Sequence, residues 1–310
     1  MDVSQTLFLM HITDGYSFRN TIGIIKSETD YATMVLSPKS IEISFINSSK
    51  CAVHKIVINT QELTMYRYNI RDAEGNLLPE YAIAFETNEM FNTTKGIGRR
   101  DGIRLYWAAG DSRINVQPMK SNTKDPGRAS ALFVQILNME YIRYDIPGGY
   151  GVEPSVRVQA KEFADLCSQA NSLKCSMLEI IGCNNAVTFK GMMPNNTMAS
   201  INQFRSQTEV TRSIPTLSNM DEIDHILGNL RFDMPSGAAS SSGISLNIMR
   251  NEDLMTVRVP ITTVKALSKI HNISPSGTQL RFYFAEGKPT KVESPIGTYG
   301  IYTICLRNGR

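Results

Sequence analysis

The sequence predicts an α+β chain of two similar domains, each built from many short antiparallel strands and two short helices. Three observations carry that reading. Apolar and polar residues alternate over short runs bounded by turn residues. Apolar stripes at three- and four-residue spacing mark only a few short helices. Both patterns recur about half a chain apart, and the 310 residues, 42% hydrophobic and 20% charged, suit two domains of about 150 residues.

Taken in order, Phe18, Ile22 and Ile25 place one apolar stripe on a first helix. Ile41, Ile43 and Phe45 then alternate with Glu42 and Ser44, entered through Ser37-Pro38-Lys39 and left through Asn47-Ser48-Ser49. A strand over 82–85, a helix over 90–95 and a strand over 103–107 follow. Residues 140–154, with Pro147-Gly148-Gly149, read as an extended surface connector. The second copy opens on Phe163, Leu166, Cys167 and Ala170, with Phe163 standing 145 positions after Phe18. Val187 and Phe189 alternate with Thr188 and Lys190, and Val187 stands 146 positions after Ile41. A strand over 256–259, a helix over 264–271 and a strand over 280–284 repeat the first copy's order. Here Leu280-Arg281-Phe282-Tyr283 stands 177 positions after Ile103-Arg104-Leu105-Tyr106, so the offset widens by 31 residues. An insertion at about 208–242 accounts for this, with a short helix over 221–230 and a Ser/Gly/Ala run after it. The expected organisation is a first domain over 1–139, the connector 140–154 and a second domain over 155–310.

Composition excludes several functions. Net charge is +3, from 32 Lys and Arg against 29 Asp and Glu, so any affinity for nucleic acid has to come from placement. Five scattered cysteines read as reduced thiols of an intracellular protein, and no apolar run reaches the roughly 20 residues of a membrane span. The four histidines show no metal-ligand spacing. Gly96-Ile97-Gly98-Arg99-Arg100-Asp101-Gly102 follows a helical segment instead of a strand, and reads as a helix terminus and turn, not a dinucleotide loop. With no nucleophile motif and no phosphate loop, no enzymatic activity, metal or cofactor is expected.

The basic residues of the helices say more. Arg19 and Lys26 lie opposite Phe18, Ile22 and Ile25; Lys265 and Lys269, four apart, flank Val264 and Leu267; Lys95 ends another helix. Any amphipathic helix carries a charged outer face, and spacing alone leaves that reading open. The sharper one is a set of helices presenting cations to phosphate, which positions a protein on DNA without reading sequence.

Four stretches resemble the DNA sliding clamps, the family typified by proliferating cell nuclear antigen. They are Glu162-Phe163-Ala164-Asp165-Leu166-Cys167, then Ile136-Leu137-Asn138-Met139-Glu140 with Tyr144-Asp145-Ile146-Pro147, then Pro289-Thr290-Lys291-Val292-Glu293, and residues 41–53 with their Asn47-Ser48-Ser49 turn. The resemblance covers the chain apart from 208–242 and a longer loop at 120–128. It implies two topologically similar clamp domains, with sheets outside and helices lining a central hole, and a ring of three subunits. It assigns DNA contact to Arg19, Lys26, Lys95 and Lys269, to which helix geometry adds Lys265. It assigns a partner-peptide pocket to Ile46, Lys50, Val53, Tyr144, Ile146, Pro147, Pro289 and Leu306. Subunit pairing falls to Ser130, Leu132, Val134 and Ile136 of one chain and Met198, Ser200, Ile201 and Asn202 of the next. Asp165 and Ser168 depart from the family, which carries basic residues there.

The function so implied is that of a polymerase processivity factor. It encircles duplex DNA, holds a DNA polymerase and other clamp-binding proteins, needs a separate clamp loader, and works without a membrane at the site of replication, in the nucleus or a viral compartment. Two alternatives share the fold: an open monomeric or dimeric factor that holds DNA by charge, and a transcription or checkpoint factor that recruits proteins.

Overall fold

A computed structural model describes residues 6–121, 131–183, 186–194, 198–205 and 255–307. The first half runs β1 (Thr6–Ile12), α1 (Gly15–Glu28), β2 (Tyr31–Leu36), β3 (Ser40–Ile46), β4 (Ala52–Asn59), β5 (Met65–Tyr68), β6 (Tyr81–Glu86), α2 (Thr87–Thr94), β7 (Gly102–Ala108), β8 (Arg113–Met119) and β9 (Leu132–Gln135). The second runs β10 (Val156–Gln159), α3 (Ala160–Ser172), β11 (Met177–Cys183), β12 (Ala186–Met192), β13 (Met198–Arg205), β14 (Met255–Pro260), α4 (Ile261–Leu267), β15 (Gln279–Tyr283), β16 (Thr290–Ile296) and β17 (Gly300–Leu306). The inserted stretch 208–242 and Ser130 lie outside the described residues.

The duplication is visible in the sheets. The order β1-β7-β8-β9 recurs as β10-β15-β16-β17, and β4-β3-β2-β6 recurs as β13-β12-β11-β14. One join fuses the halves: β17 pairs antiparallel with β4, from Gly300 opposite Ile58 to Leu306 opposite Ala52, making a continuous eight-stranded sheet. The strands holding the matching positions in the other copy, β9 and β13, each end a sheet.

Local chemistry sets the helices. Asp14 caps α1 by accepting from Ser17 N at 3.0 Å and Ser17 Oγ at 2.6 Å. Gly15 follows because a Cβ there would lie 2.8 Å from the Asp101 carbonyl oxygen. Phe18, Ile22 and Ile25 are all buried, and so are Phe163, Leu166, Cys167 and Ala170 on α3. The helix expected over 264–271 is divided: α4 ends at Leu267, and a separate 3-10 turn covers Ile270–Asn272. The four α-helices among the described residues join in one layer, because α1 contacts α2 and α4, and α4 contacts α3.

In the second core Phe163, Phe189 and Phe282 pack with ring centres 5.6–5.8 Å apart, and Phe284 stacks on Phe282. A Cβ on Gly182 would overlap the Phe284 ring. Gly182→Ala is therefore expected to cost about 1–3 kcal/mol, read as a lowered thermal midpoint. An unchanged midpoint would mean that Phe284 swings aside freely. One feature of β12 differs from the alternating pattern: Thr188 and Lys190, expected on the solvated face, are buried. β12 is an inner strand, and Lys190 stands opposite Glu179, a buried carboxylate paired with Arg258 at 3.0 Å.

The join between halves hides a polar cluster. His54 on β4 is fully buried, stacked on Phe45 at 4.6 Å, with Nδ1 2.6 Å from the Tyr302 hydroxyl on β17. Its Nε2 has no hydrogen-bond partner and lies 3.8 Å from Oε2 of Glu28, at the end of α1. Burial pushes the Glu28 carboxyl up to about 7, against the opposing pull of Asn47 and the Lys269 charge. Burial also holds the His54 imidazole down at about 3, so the ring is neutral.

Candidate functional site: a cationic helix cleft and a strapped sheet face

Three of the expected DNA-facing cations meet in one place. A cleft of about 350 Å³ between α1, α2 and the Ile270–Asn272 turn is lined by Arg19, Asn20, Gly23, Lys26, Ser27, Phe91, Lys269 and Asn272, without a carboxylate. Gly23 lets the helices close up, since a Cβ there would meet the Phe91 ring at 3.3 Å. That ring in turn carries the Lys26 ammonium 4.5 Å from its centre. Arg19 donates to the Ile97 carbonyl at 3.0 Å and lies over Tyr16, so its guanidinium is held in place. Asn20 Nδ2 donates to the Asn272 carbonyl at 3.0 Å and ties α1 to the second half. Lys95, at the end of α2, and Lys265, on α4, are exposed but do not line the cleft. The exposed face of α3 carries Glu162 and Asp165 beside Lys161, so the positive surface stops at that helix.

The sequence passes over one further cation. Arg99 lies over the same Tyr16 ring as Arg19, at 5.8 Å, and a hydrogen bond from Asn20, with help from Arg99, pulls the Tyr16 hydroxyl below its usual range. The signal was the Arg99-Arg100 pair in the turn after α2, which reads at first only as a chain reversal.

On the opposite side, the stretch between β9 and β10 crosses the outer face of the eight-stranded sheet as a strap. Arg143 fastens one end, 3.4 Å from Glu80, 3.6 Å from Glu42 and 3.6 Å from Asp145. Tyr150 fastens the other: its hydroxyl donates to the Pro289 carbonyl at 2.7 Å, while Lys288 donates to the Gly148 carbonyl at 2.7 Å. Lys291 lies between the Tyr150 and Tyr283 rings and pairs with Glu293 at 2.9 Å. Between the fastenings Tyr144 and Ile146 are half-buried and Asp145 and Pro147 exposed.

Of the other residues assigned to the peptide pocket, Ile46 and Val53 are half-buried register partners on β3 and β4, and Lys50 is exposed at the tip of their turn with φ 56°. Pro289 is half-buried just before β16. Leu306 has no exposed surface and is a core side chain, on a strand hydrogen-bonded on both sides. Val134 is fully buried on the inward face of β9, a strand that ends its sheet. Leu132 is 44% exposed on that strand, and Ile136 is half-buried just beyond it. Met198, Ser200, Ile201 and Asn202 lie on β13, where the register shifts between Ser200, opposite Lys190, and Asn202, opposite Phe189, leaving Ile201 as the extra residue.

Among the described residues no three His, Cys, Asp or Glu side chains group as metal ligands, and no helix is long and apolar enough to cross a membrane. No protein-family model and no curated protein sequence matches the chain. Solved structures do match. The crystal structure of proliferating cellular nuclear antigen from Entamoeba histolytica superposes with a TM-score of 0.66 at 11% identity, over 97% of this chain and 98% of that one. Two sheet orders used twice, one shared helix layer and this end-to-end superposition establish that the chain has the fold of the DNA sliding clamps.

Proposed function

We propose that this protein is a non-enzymatic sliding clamp, a ring of three chains that encircles duplex DNA and tethers a polymerase and other replication proteins to it. The observation that carries the proposal is the pairing of β17 with β4 inside the chain, set beside β9 and β13 ending their sheets. β9 occupies the place of β17 in the other copy, and β13 the place of β4. Pairing β9 of one chain with β13 of the next repeats a join the fold already makes, and a head-to-tail contact of that kind leaves neither of these two strands with a free edge once it closes. The helix cleft with Arg19, Lys26 and Lys269 supplies loose phosphate contacts that allow sliding. The strapped face is the docking surface for partner peptides, and holding a polymerase there raises its local concentration at the primer end. The domains are taken as 1–139 and 155–310.

Solution mass tests the ring. The protein is expected as a three-chain particle, and Leu132→Asp, which sets a charge on the β9 edge, should shift it towards single chains. A wild-type particle of one or two chains, unchanged on adding DNA, would rule out enclosure. Extension of a primer on a long template then separates a processivity factor from a recruitment factor, since only the former lengthens the products.

A further inference from the structure

Among the described residues, the outer face of the five-stranded sheet stands out by its composition. Its strands β5, β1, β7, β8 and β9 contain no Asp or Glu, yet carry Arg67, His11, Arg104 and Arg113. The register sends all four outward. Phe8, Met10, Ile103, Leu105, Ile114, Val116 and Val134 turn inward and are buried, which leaves the alternate positions facing out. One row across the sheet reads Arg67, Leu9, Tyr106, Asn115, Phe133; the next reads Met65, His11, Arg104, Gln117. Phe133 is 48% exposed, and the Arg113 guanidinium lies 5.9 Å from its ring centre. Asp111, in the turn between β7 and β8, is engaged by Arg113 N and Asn115 Nδ2. The eight-stranded sheet contrasts with this. There Lys55 pairs with Glu42 and Lys291 with Glu293, so carboxylates lie among the cations.

We propose that this outer face binds single-stranded nucleic acid, with Tyr106 and Phe133 as stacking platforms and Arg67, Arg104 and Arg113 as phosphate contacts. Charge complementarity selects an anionic occupant. Two flat rings set beside three guanidiniums select unstacked bases over a carboxylate-bearing peptide, which has no use for aromatic platforms. A duplex keeps its bases stacked inside and cannot use those rings. Arg104 also acts on its neighbour: burial and then the Arg104 charge hold the His11 imidazole below its usual range, so the positive charge here rests on the arginines. The site is separate from the helix cleft and does not depend on ring closure.

Fluorescence anisotropy of a labelled oligothymidine with the full-length protein tests it. Arg67→Gln with Arg104→Gln should weaken binding at least about tenfold and reduce the salt slope by about 1.4, the loss of two single-strand phosphate contacts. Tyr106→Leu keeps an apolar side chain but removes the ring, and should weaken binding about fivefold or more with the salt slope unchanged. Both variants should bind duplex DNA as the parent does, whereas Arg19→Ala, Lys26→Ala and Lys269→Ala together should do the reverse. Should the double variant fail to melt cooperatively, Arg67→Gln, at an exposed position, carries the same test alone. Wild-type oligothymidine binding by the outer-face variants, or its loss in the cleft triple variant only, would overturn the proposal. So would an outer-face loss confined to a labelled oligoglutamate peptide, which would assign the face to an acidic protein. Absence of duplex binding by the parent protein would sink the clamp reading and leave this one standing.

Discussion

Replacing Arg19, Lys26 and Lys269 together by Ala is expected to lower duplex association on the order of a hundredfold or more at low salt, and to flatten its salt dependence by nearly three units of log-log slope. The three cations line one cleft that contains no carboxylate, so nothing on its walls offsets them. Each neutralised phosphate releases condensed counterion, and losing three contacts removes about 0.9 unit of slope apiece. The fold should survive, because Lys26 and Lys269 are exposed; Arg19 alone gives up a backbone contact, to Ile97. Titration of labelled duplex at several salt concentrations reads both quantities. An unchanged slope would move the DNA away from the helices.

A second large effect belongs to the buried cluster at the join. Glu28→Gln is expected to stabilise the protein at pH 8 by about 3 kcal/mol and to change it little near pH 5. The sign follows from the direction of the shift. Burial raises the folded Glu28 pKa from 4.5 to about 7, so the folded state holds this proton more tightly than the unfolded chain does. Its contribution is fully present below pH 4.5 and is lost as pH rises through 7. Gln keeps the neutral shape and removes that loss. His54 works in the other direction: its folded pKa is depressed from 6.5 to about 3, so its contribution is present above pH 6.5 and is lost as pH falls through 3. Between pH 4.5 and 6.5 the two slopes oppose each other, and the protein should show a plateau of stability there. Thermal melts of parent and variant from pH 4 to 9 check this, and equal midpoints at pH 8 would mean that Glu28 is solvated.

Much of the architecture was legible where short-range pattern decides it. The alternation of Ile41, Ile43 and Phe45 and the stripe of Phe18, Ile22 and Ile25 follow from the side-chain periods of strand and helix, and every one of these residues is buried. What escaped depends on distant partners. Glu28 ends an amphipathic helix, where a charge ordinarily meets water, and only the approach of β4 and β17 encloses it. Leu306 and Val134 pass for surface residues until neighbouring strands and helices cover them. Lys190 looks outward by period, yet its strand has neighbours on both sides and a buried glutamate opposite. The cleft shows the same limit: Arg19 and Lys26 are visible as one helix face, but their meeting with Lys269 across more than half the chain is set by α1 packing on α4.

The join of β4 to β17 makes the peptide link between the halves structurally redundant. Seven register pairs, the Asn20–Asn272 and Asn47–Thr263 hydrogen bonds and the buried His54–Tyr302 contact all cross it. Val152, in the link itself, is 97% exposed and lies just past the Tyr150 fastening. A protease that clips there severs the chain without parting its halves, so the nicked protein travels as one particle and comes apart only on denaturation.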